Sequence, residues 1–558
     1  MVNQRLELTW IGKGDDPAVE PRILLHDPSK DYGDPNTENM LIHGDNLLAL
    51  KALEQQYAGQ VKCIYIDPPY NTGEAFENYD DNLEHSIWLR LMYARVRILK
   101  NLLSDDGFFC CQIDDSEGHY LKVMLDEIFG RDGYYQTTIY VRVRYPEKTL
   151  KQDMAFHKEI EQVHIYRKSN QAKPILDKVQ SGYEKFKYKI ETLSAPIKVL
   201  ELGGKRVEVY KKGDYIITEE DGSEYGLKEI WASGTILDGN SSGRFFRDYL
   251  TGRYAEDGYG VIYKVYGIGD DRYNHRFFTG PNREGATKGK YYQGVPLHKL
   301  ESGEMTRDVP INGFIDLAAY FGNCRQEGGA EFRGGKKPEI LIKTLLSHFT
   351  KEGDLVLDSF LGSGTTAAVA HKMNRRYIGI ELGNHCYTLC IPRLTRVIDG
   401  DKTGISDDVN WQGGGGYKFY ELAPTLIVKD KYGNPVFSEQ YSPEMLVAAV
   451  AKINGYHYAP DAEAFWKQGF CQDNSFIYVT TQYLTGEVLD GIAAEVGDFE
   501  NLLICAPAFD AGLNKRYENI TVRKIPQSVL DKCQYGVDNY NLNIIDPPQL
   551  DEEEWEDD

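Results

Sequence analysis

A chain of 558 residues with 41% hydrophobic and 27% charged side chains is too long for one simple core and too apolar for a disordered polymer, so two to four globular domains are expected. No stretch has the length of a membrane span and the opening MVNQRLELTW has no basic-then-apolar layout, so neither a membrane partner nor a signal peptide is expected. The net charge of -22 opposes general nucleic-acid binding, yet residues 141–330 hold about 30 Lys and Arg against 27 Asp and Glu, whereas residues 401–558 hold about 11 against 27, seven of those acids in the closing DEEEWEDD.

Residues 1–40 are polar and rich in Pro, Gly and Asp, which predicts an irregular arm. VKCIYI (61–66) is a buried strand ending at Asp67. Trp88, Leu91, Met92, Val96, Leu99, Leu102 and Leu103 fall at helical spacing over 85–103, with Gly107 expected to stop that element. FFCCQI (108–113) reads as the next strand, and LKVMLDEIFG (121–130) as a helix closed by Gly130. This alternation predicts an α/β domain with a mostly parallel sheet. From about Tyr145 to Ala330 the rhythm fades and Tyr, Gly, Lys and Arg become frequent. GDLVLD (353–358), a glycine turn, TTAAVAHKMN (365–374) and YIGIEL (377–382) then restore a strand–turn–helix–strand unit. Gly413 to Gly416 read as a flexible boundary, after which FIYVT (476–480), a helical stretch near 483–496, NLLICA (501–506) and NITVRKI (519–525) predict a smaller α/β domain before a solvated acidic tail. The nine cysteines include no Cys-x-x-Cys pair, so Cys386 and Cys390 read as core thiols and no metal site is expected.

Two constellations carry chemistry. Asp67-Pro68-Pro69-Tyr70 follows a buried strand directly, where open parallel sheets place their ligand crevice. The prolines fix φ and remove two N–H donors, leaving stiff backbone rich in acceptors. A carboxylate and a carbonyl, each accepting one N–H, suit an exocyclic amine such as adenine N6, whose lone pair is delocalised into the ring and must be aimed at a methyl donor. Tyr70 would stack on a base drawn out of a helix. Asp546-Pro547-Pro548 lacks the aromatic, being followed by Gln549, and is given no role. The second constellation, Asp358-Ser359-Phe360-Leu361-Gly362-Ser363-Gly364-Thr365-Thr366, leaves a strand and opens a helix, and Glu381 ends the next strand 23 residues after Asp358. The glycines permit close backbone approach, and an acid at that spacing suits the ribose hydroxyls of a nucleoside cofactor. No Lys follows the glycines, which speaks against a triphosphate.

Together these motifs resemble the amino-methyltransferases of DNA, in the permuted order of the beta class, over roughly residues 40–420. LIHGDNLLAL (41–50), IDPPYNTG (66–73), YDDN (79–82), Trp88, LLSDDGFFCCQIDDSE (102–117), LDEIFG (125–130), Gly-Gly-Lys-Lys-Pro (334–338) and GGGGYKFYEL (413–422) look closest to the modification subunit of type III restriction-modification systems. The resemblance implies a Rossmann-like methyltransferase domain split into a catalytic half (41–140) and a cofactor half (331–412). Between them would lie a target-recognition domain (141–330), where RYPEK (144–148), GRFFRDY (243–249), GRY (252–254) and DRYNHRFF (271–278) suit phosphate contact and stacking. The acidic C-terminal α/β domain (413–545) departs from the resemblance and is read as a surface for dimerisation or partner docking or as a cap without separate function, with the tail (546–558) after it. S-adenosyl-L-methionine is implied as cofactor, held by Asp45, Asn46, Asp67, Lys337, Pro338, Asp358, Phe360, Gly362, Ser363, Gly364, Thr365 and Glu381. Cytosine-N4 members of the family usually carry Ser at the position of Asp67, so Asp favours adenine N6 in double-stranded DNA. A homodimer, a restriction helicase-nuclease partner and a prokaryotic, cytoplasmic, nucleoid-associated setting are implied as well. The alternatives are a cytosine-N4 or RNA methyltransferase of this fold, or an inactive DNA-recognition subunit.

Overall fold

A computed structural model describes residues 7–14, 18–71, 85–146, 156–180, 182–232, 241–286, 288–302, 306–332, 335–472 and 474–525. YDDN (79–82), Asp546-Pro547-Pro548 and the acidic tail lie outside them. The chain divides into two compact units, Met1–Ile175 with Asn312–Asp558, and Leu176–Ile311.

The first unit is organised by short, continuous apolar strands that are buried on both faces, the pattern of a helix-covered parallel sheet. Its elements are β1 (Leu24–His26), β2 (Tyr32–Gly33), β3 (Met40–His43), α1 (Asn46–Tyr57), β4 (Val61–Ile66), α2 (His85–Leu102), β5 (Leu103–Ile113), α3 (Gly118–Phe129), β6 (Tyr135–Arg142), β7 (Ile160–Arg167), β8 (Phe314–Asp316), α4 (Glu339–Phe349), β9 (Leu355–Asp358), α5 (Thr365–Lys372), β10 (Arg376–Glu381), α6 (Ile391–Ile398) and β11 (Gly416–Leu422). The sheet runs β1-β11-β3-β10-β9-β4-β5-β7-β6-β8, with β2 beside β11. The six strands from β11 to β5 are parallel. β7 is antiparallel to both its neighbours. β9 and β4 lie side by side, Val356 against Cys63 and Leu357 against Ile64. The carboxyl ends of the two motif-bearing strands therefore meet, although almost 300 residues separate them in sequence. Trp88, Met92, Val96 and Leu99 of α2 pack on Ile64, Ile66, Leu357 and Ile380 in one core, which fixes those strand ends rigidly.

Four expectations change. β5 begins at Leu103 rather than Phe108: its pairing with β4 shifts between Val61 and Cys63, and Gly107 sits where a Cβ would stand 2.9 Å from the Val61 carbonyl. Gly107 is thus a tight-contact glycine inside the strand rather than a helix stop. Gly413 to Gly416 are no domain boundary, because β11 joins the main sheet parallel to β3 and a Cβ at Gly33 would collide with the Gly415 carbonyl. The first 40 residues supply β1 and β2, both paired with β11. The C-terminal segment does form its own five-stranded sheet, from His457–Tyr458 to Ile520–Lys524. Yet Ile23, Ala423 and Leu426 share a core with Ala449 and Val450 of the helix Pro443–Ile453, so this sheet belongs to the first compact unit.

The inserted unit is narrower than the 141–330 expected. β6, β7 and β8 belong to the main sheet, leaving Leu176–Ile311. Here a six-stranded antiparallel sheet carries Lys198–Leu202, Lys205–Tyr210, Ile262–Tyr266, His275–Thr279, Gly289–Gln293 and Lys228–Ala232 in that order. Val207, Val209, Phe246, Tyr263 and Phe278 fill one face, and Tyr210, Ile262, Phe277 and Tyr292 fill the other. Alternating residues go to opposite faces, so both sides of this sheet are covered.

Candidate active site

Burial of VKCIYI on both faces drives β4 straight through the core and delivers Asp67 at its end. Pro68 and Pro69 cannot extend the ladder, so the strand stops there. Trp88 of α2 donates its indole N–H to the Pro69 carbonyl at 2.8 Å, pinning the turn to the core. Asn71 follows in a left-handed conformation, φ 60°, which Asn tolerates better than most residues, and its amide donates to Glu117 at 2.6 Å.

Asp67 sits among charged and hydroxyl side chains drawn from separate elements. The Tyr70 hydroxyl lies 2.7 Å from Asp67 Oδ1 and 2.9 Å from Glu161 Oε2. Lys337 Nζ stands 3.0 Å from Asp67 Oδ2 and 3.5 Å from Glu161 Oε2, and 4.8 Å from the Tyr70 ring centre. Gln112 of β5 donates to Glu161 and accepts from the buried Tyr65 hydroxyl. Burial pushes the Asp67 carboxyl up to about 6, with the anionic Glu161 adding to the rise and Lys337 and Tyr70 opposing it. A second carboxylate beside a buried one disfavours its charged form, and a single ammonium offsets that only in part. A cavity of about 340 Å³ opens beside this cluster, lined by Val143, Tyr145, Glu161, Phe321, Phe332 and Lys337 among others.

The glycine turn is built by equally local means. Asp358 closes β9, and its carboxylate accepts from the Phe360 N–H at 2.9 Å and from the Thr366 hydroxyl at 2.6 Å. It is thereby a turn-forming group, with burial holding its carboxyl up at about 7. Gly362 and Gly364 both take positive φ, 55° and 80°, which is the reason for glycine at those positions. Gly364 caps α5. Glu381 Oε2 accepts the Gly362 N–H at 2.7 Å, and its Oε1 accepts from Leu382 and Gly383. Asn46 donates to the Ser359 carbonyl at 2.7 Å and is itself held by Arg95. Asp45 caps α1 through Leu48 N–H and lies 3.4 Å from Arg95. Ser363 and Thr365 are buried. Both meet the guanidinium of Arg393, whose other nitrogen pairs with Glu339 at 2.9 Å.

The structure therefore gathers Asp67 to Tyr70 with Lys337 at one strand end, and Asp358, Phe360, Gly362, Ser363, Gly364, Thr365 and Glu381 at the neighbouring ones. Thr365 Oγ1 donates to the Lys337 carbonyl at 3.3 Å, joining the two groups. Lys337 differs from expectation, being committed to the Asp67 cluster. Pro338 serves as the N-cap of α4. Asp45 and Asn46 brace the turn from behind. Sequence reasoning missed Glu161, Gln112, Arg95, Arg393 and Glu339. The one visible signal for Glu161 is an acid near the start of a strand, IEQVHIYR, whose buried stretch is Val163 to Tyr166.

A nucleoside cofactor fits these residues on three observations. The Ser359 hydroxyl is buried with no hydrogen-bond partner among the described residues. Among the described residues the Cβ position of Gly362 meets only the Phe360 carbonyl, at 4.0 Å, which leaves room against the turn. The Glu381 carboxylate group lies against that same glycine.

The comparisons with known proteins agree with this geometry. The chain is 35% identical over 420 residues to the probable type III restriction-modification enzyme HindVI Mod subunit of Haemophilus influenzae, covering 69% of this chain and 54% of that one. It is 27% identical to the StyLTI Mod subunit of Salmonella typhimurium, over 64% and 52% of the two chains, and 25% identical to the EcoPI Mod subunit of Escherichia phage P1, over 67% and 62%. The chain thus spans about half to three-fifths of the length of these relatives. The family model for N6 and N4 DNA methylases matches residues 61–391, more than half of the chain and both constellations, and the chain belongs to that DNA methylase family.

Proposed function

We propose that this chain is the modification subunit of a type III restriction-modification system, methylating N6 of an adenine flipped out of double-stranded DNA at a short specific sequence. The observation that carries this reading is the placement of Asp67, Tyr70 and Lys337 directly beside the glycine turn, on adjacent parallel strands. S-adenosyl-L-methionine, when bound, supplies an activated methyl group. Ser359, Gly362, Ser363, Gly364 and Glu381 would hold its nucleoside portion, with Asp358, Asn46 and Arg95 keeping the turn in shape.

Asp67 accepts one N–H of the target amine. The Pro69 carbonyl is already bonded to Trp88, so the Pro68 carbonyl is the natural second acceptor. Two fixed acceptors leave the nitrogen lone pair pointing along the third direction, toward the donor, which is catalysis by orientation and preorganised charge. Tyr70 offers its ring as the stacking platform while its hydroxyl holds Asp67. Asp rather than Ser at position 67 supports adenine over cytosine N4. The inserted unit, Leu176–Ile311, would read the DNA, and a second copy and a helicase-nuclease subunit are the proposed partners.

Long-read sequencing of DNA from cells expressing the chain should show N6-methyladenine confined to one short motif. A cytosine-N4 signal, or no motif-specific signal, overturns the reading. Asp67→Ala should lower methyl transfer roughly 10²–10³-fold, the cost of losing one preorganised charge contact, while cofactor affinity measured by calorimetry stays within about twofold.

A further inference from the structure

Methylating a neutral amine creates a proton problem. As the N–C bond forms, the C–S bond of a sulfonium donor breaks and its electron pair stays on sulfur. The nitrogen becomes cationic and must shed one proton to regain neutrality. Asp67 is the group in place to take it, but Asp67 is only 18% exposed and faces Lys337 and Tyr70, so it needs an outlet.

The Tyr70 hydroxyl has one hydrogen and stands within hydrogen-bond distance of two carboxylate oxygens, 2.7 Å from Asp67 and 2.9 Å from Glu161. One hydrogen cannot serve both strongly, so a second proton is readily shared along Asp67–Tyr70–Glu161. Glu161 in turn lines the 340 Å³ cavity, and Gln112 donates to the same Oε2 that Tyr70 and Lys337 meet, holding that oxygen in place. We infer that Glu161 is the proton outlet of the reaction: Asp67 Oδ1 hands the amine proton to the Tyr70 oxygen, the Tyr70 hydrogen passes to Glu161 Oε2, and Glu161 releases it to water in the cavity. The inference rests on the methyltransferase reading of the same site and adds a relay residue that neither constellation contains.

The charged and titratable groups around the relay are Lys337, Tyr65 of β4, Cys111 of β5 and Asp358 of β9, with Arg144 and Arg325 on the cavity wall. Tyr65 and Cys111 are pushed well above their ordinary ranges by burial and stay neutral. Lys336, tied to three backbone carbonyls, is brought down to about 8 by burial and by Arg393, so it titrates on the alkaline side. The acid limb of a rate profile therefore reports on Asp67, at about 6, and on Asp358, at about 7, and because Asp358 is common to wild type and variant, a displacement on substituting Glu161 is read at Asp67.

The test compares wild type with Glu161→Gln, Glu161→Asp and Glu161→Ala in single-turnover methyl transfer on a DNA carrying the recognised motif. Expected for Glu161→Gln is a rate lower by about 10²-fold, the lower end of what a positioned proton-transfer group contributes, with cofactor and DNA affinities within about twofold. Its acid limb should lie at lower pH, because removing the Glu161 anion removes one cause of the raised Asp67 carboxyl. In the protein without cofactor, infrared difference spectra should show Asp67 protonating at lower pH in Glu161→Gln than in wild type. Formate should restore Glu161→Ala in a concentration-dependent way, the cavity being large enough to admit it, and Glu161→Asp should retain more rate than Glu161→Gln. A wild-type rate in Glu161→Gln, an unmoved Asp67 titration, or no formate rescue overturns the relay while leaving the methyltransferase reading intact. Absence of transfer in wild type overturns that reading and the relay with it.

Discussion

At Tyr70 the ring and the hydroxyl have separate tasks, and substitution can divide them. Tyr70→Phe keeps a stacking surface but removes the bond to Asp67, one that favours the charged carboxylate. Loss of such a bond raises the Asp67 carboxyl further above about 6, so the acid limb of methyl transfer should move to higher pH, opposite in direction to Glu161→Gln. A hydrogen bond to a charged group is worth about 1.5–3 kcal/mol, so kcat should fall on the order of tenfold or more. Tyr70→Ala should fall further, because base stacking contributes about 1–3 kcal/mol in addition. Equal losses in the two variants, measured as kcat against pH, would remove stacking from the role of this ring. Asp67 and Tyr70 were legible in the sequence because they are contiguous and follow a recognisable strand. Glu161 was not, since it lies 91 residues from Tyr70 in sequence and is brought to it by an antiparallel pairing of β7 with β5 that no local pattern announces.

Below the glycine turn, the elements α4, α5 and α6 are bolted together by charge. Glu339, Lys372 and Arg393 have side chains with no exposure, and Glu339 lies 2.9 Å from each cation. Lys372 also meets Asp401 at 2.8 Å. Arg393 is the member that reaches the turn itself, through the Ser363 carbonyl and the Thr365 hydroxyl. Removing one partner from a buried network strands the others, at a cost of about 3–5 kcal/mol. Arg393→Met should therefore lose about that much stability in urea unfolding and weaken cofactor binding by calorimetry. Full stability would show the network to be dispensable. The two cations hold the Glu339 carboxyl below its ordinary value of 4.5, so its stabilising contribution is present above that pH and disappears as pH falls through the lower, folded-state value. In sequence the strands β4, β9 and β10 and the helix α5 were legible, because continuous apolar runs and a glycine turn are local signals. Gly107 was misread because a glycine required by close approach of the Val61 carbonyl looks the same in sequence as one that ends a helix.

On the scale of the whole molecule, the insertion was visible as a change of rhythm, but its limits were not. β7 and β8 return to the main sheet from within the segment that looked foreign, and only long-range pairing assigns them. Among the described residues the insertion, Leu176–Ile311, contributes no strand to the main sheet and fills two cores of its own. Its 136 residues hold 21 Lys and Arg against 21 Asp and Glu, so the charge of -22 resides entirely in the rest of the chain. It also displays aromatic rings with cations over them: Trp231, 60% exposed, under Lys290 at 4.5 Å, and Tyr225, 64% exposed, under Arg272 at 4.1 Å. A separable, neutral unit with cation-faced aromatics on a strongly anionic chain is where DNA affinity should concentrate. Replacing 176–311 with a flexible linker should accordingly leave a cooperatively folding first unit that binds the cofactor with near-wild-type affinity. It should lose motif-specific methylation and most DNA affinity, and the dependence of log K on log salt should flatten, since phosphate contacts set that slope. Retained motif specificity in the linker variant, read by methylation sequencing, would place DNA reading elsewhere in the chain.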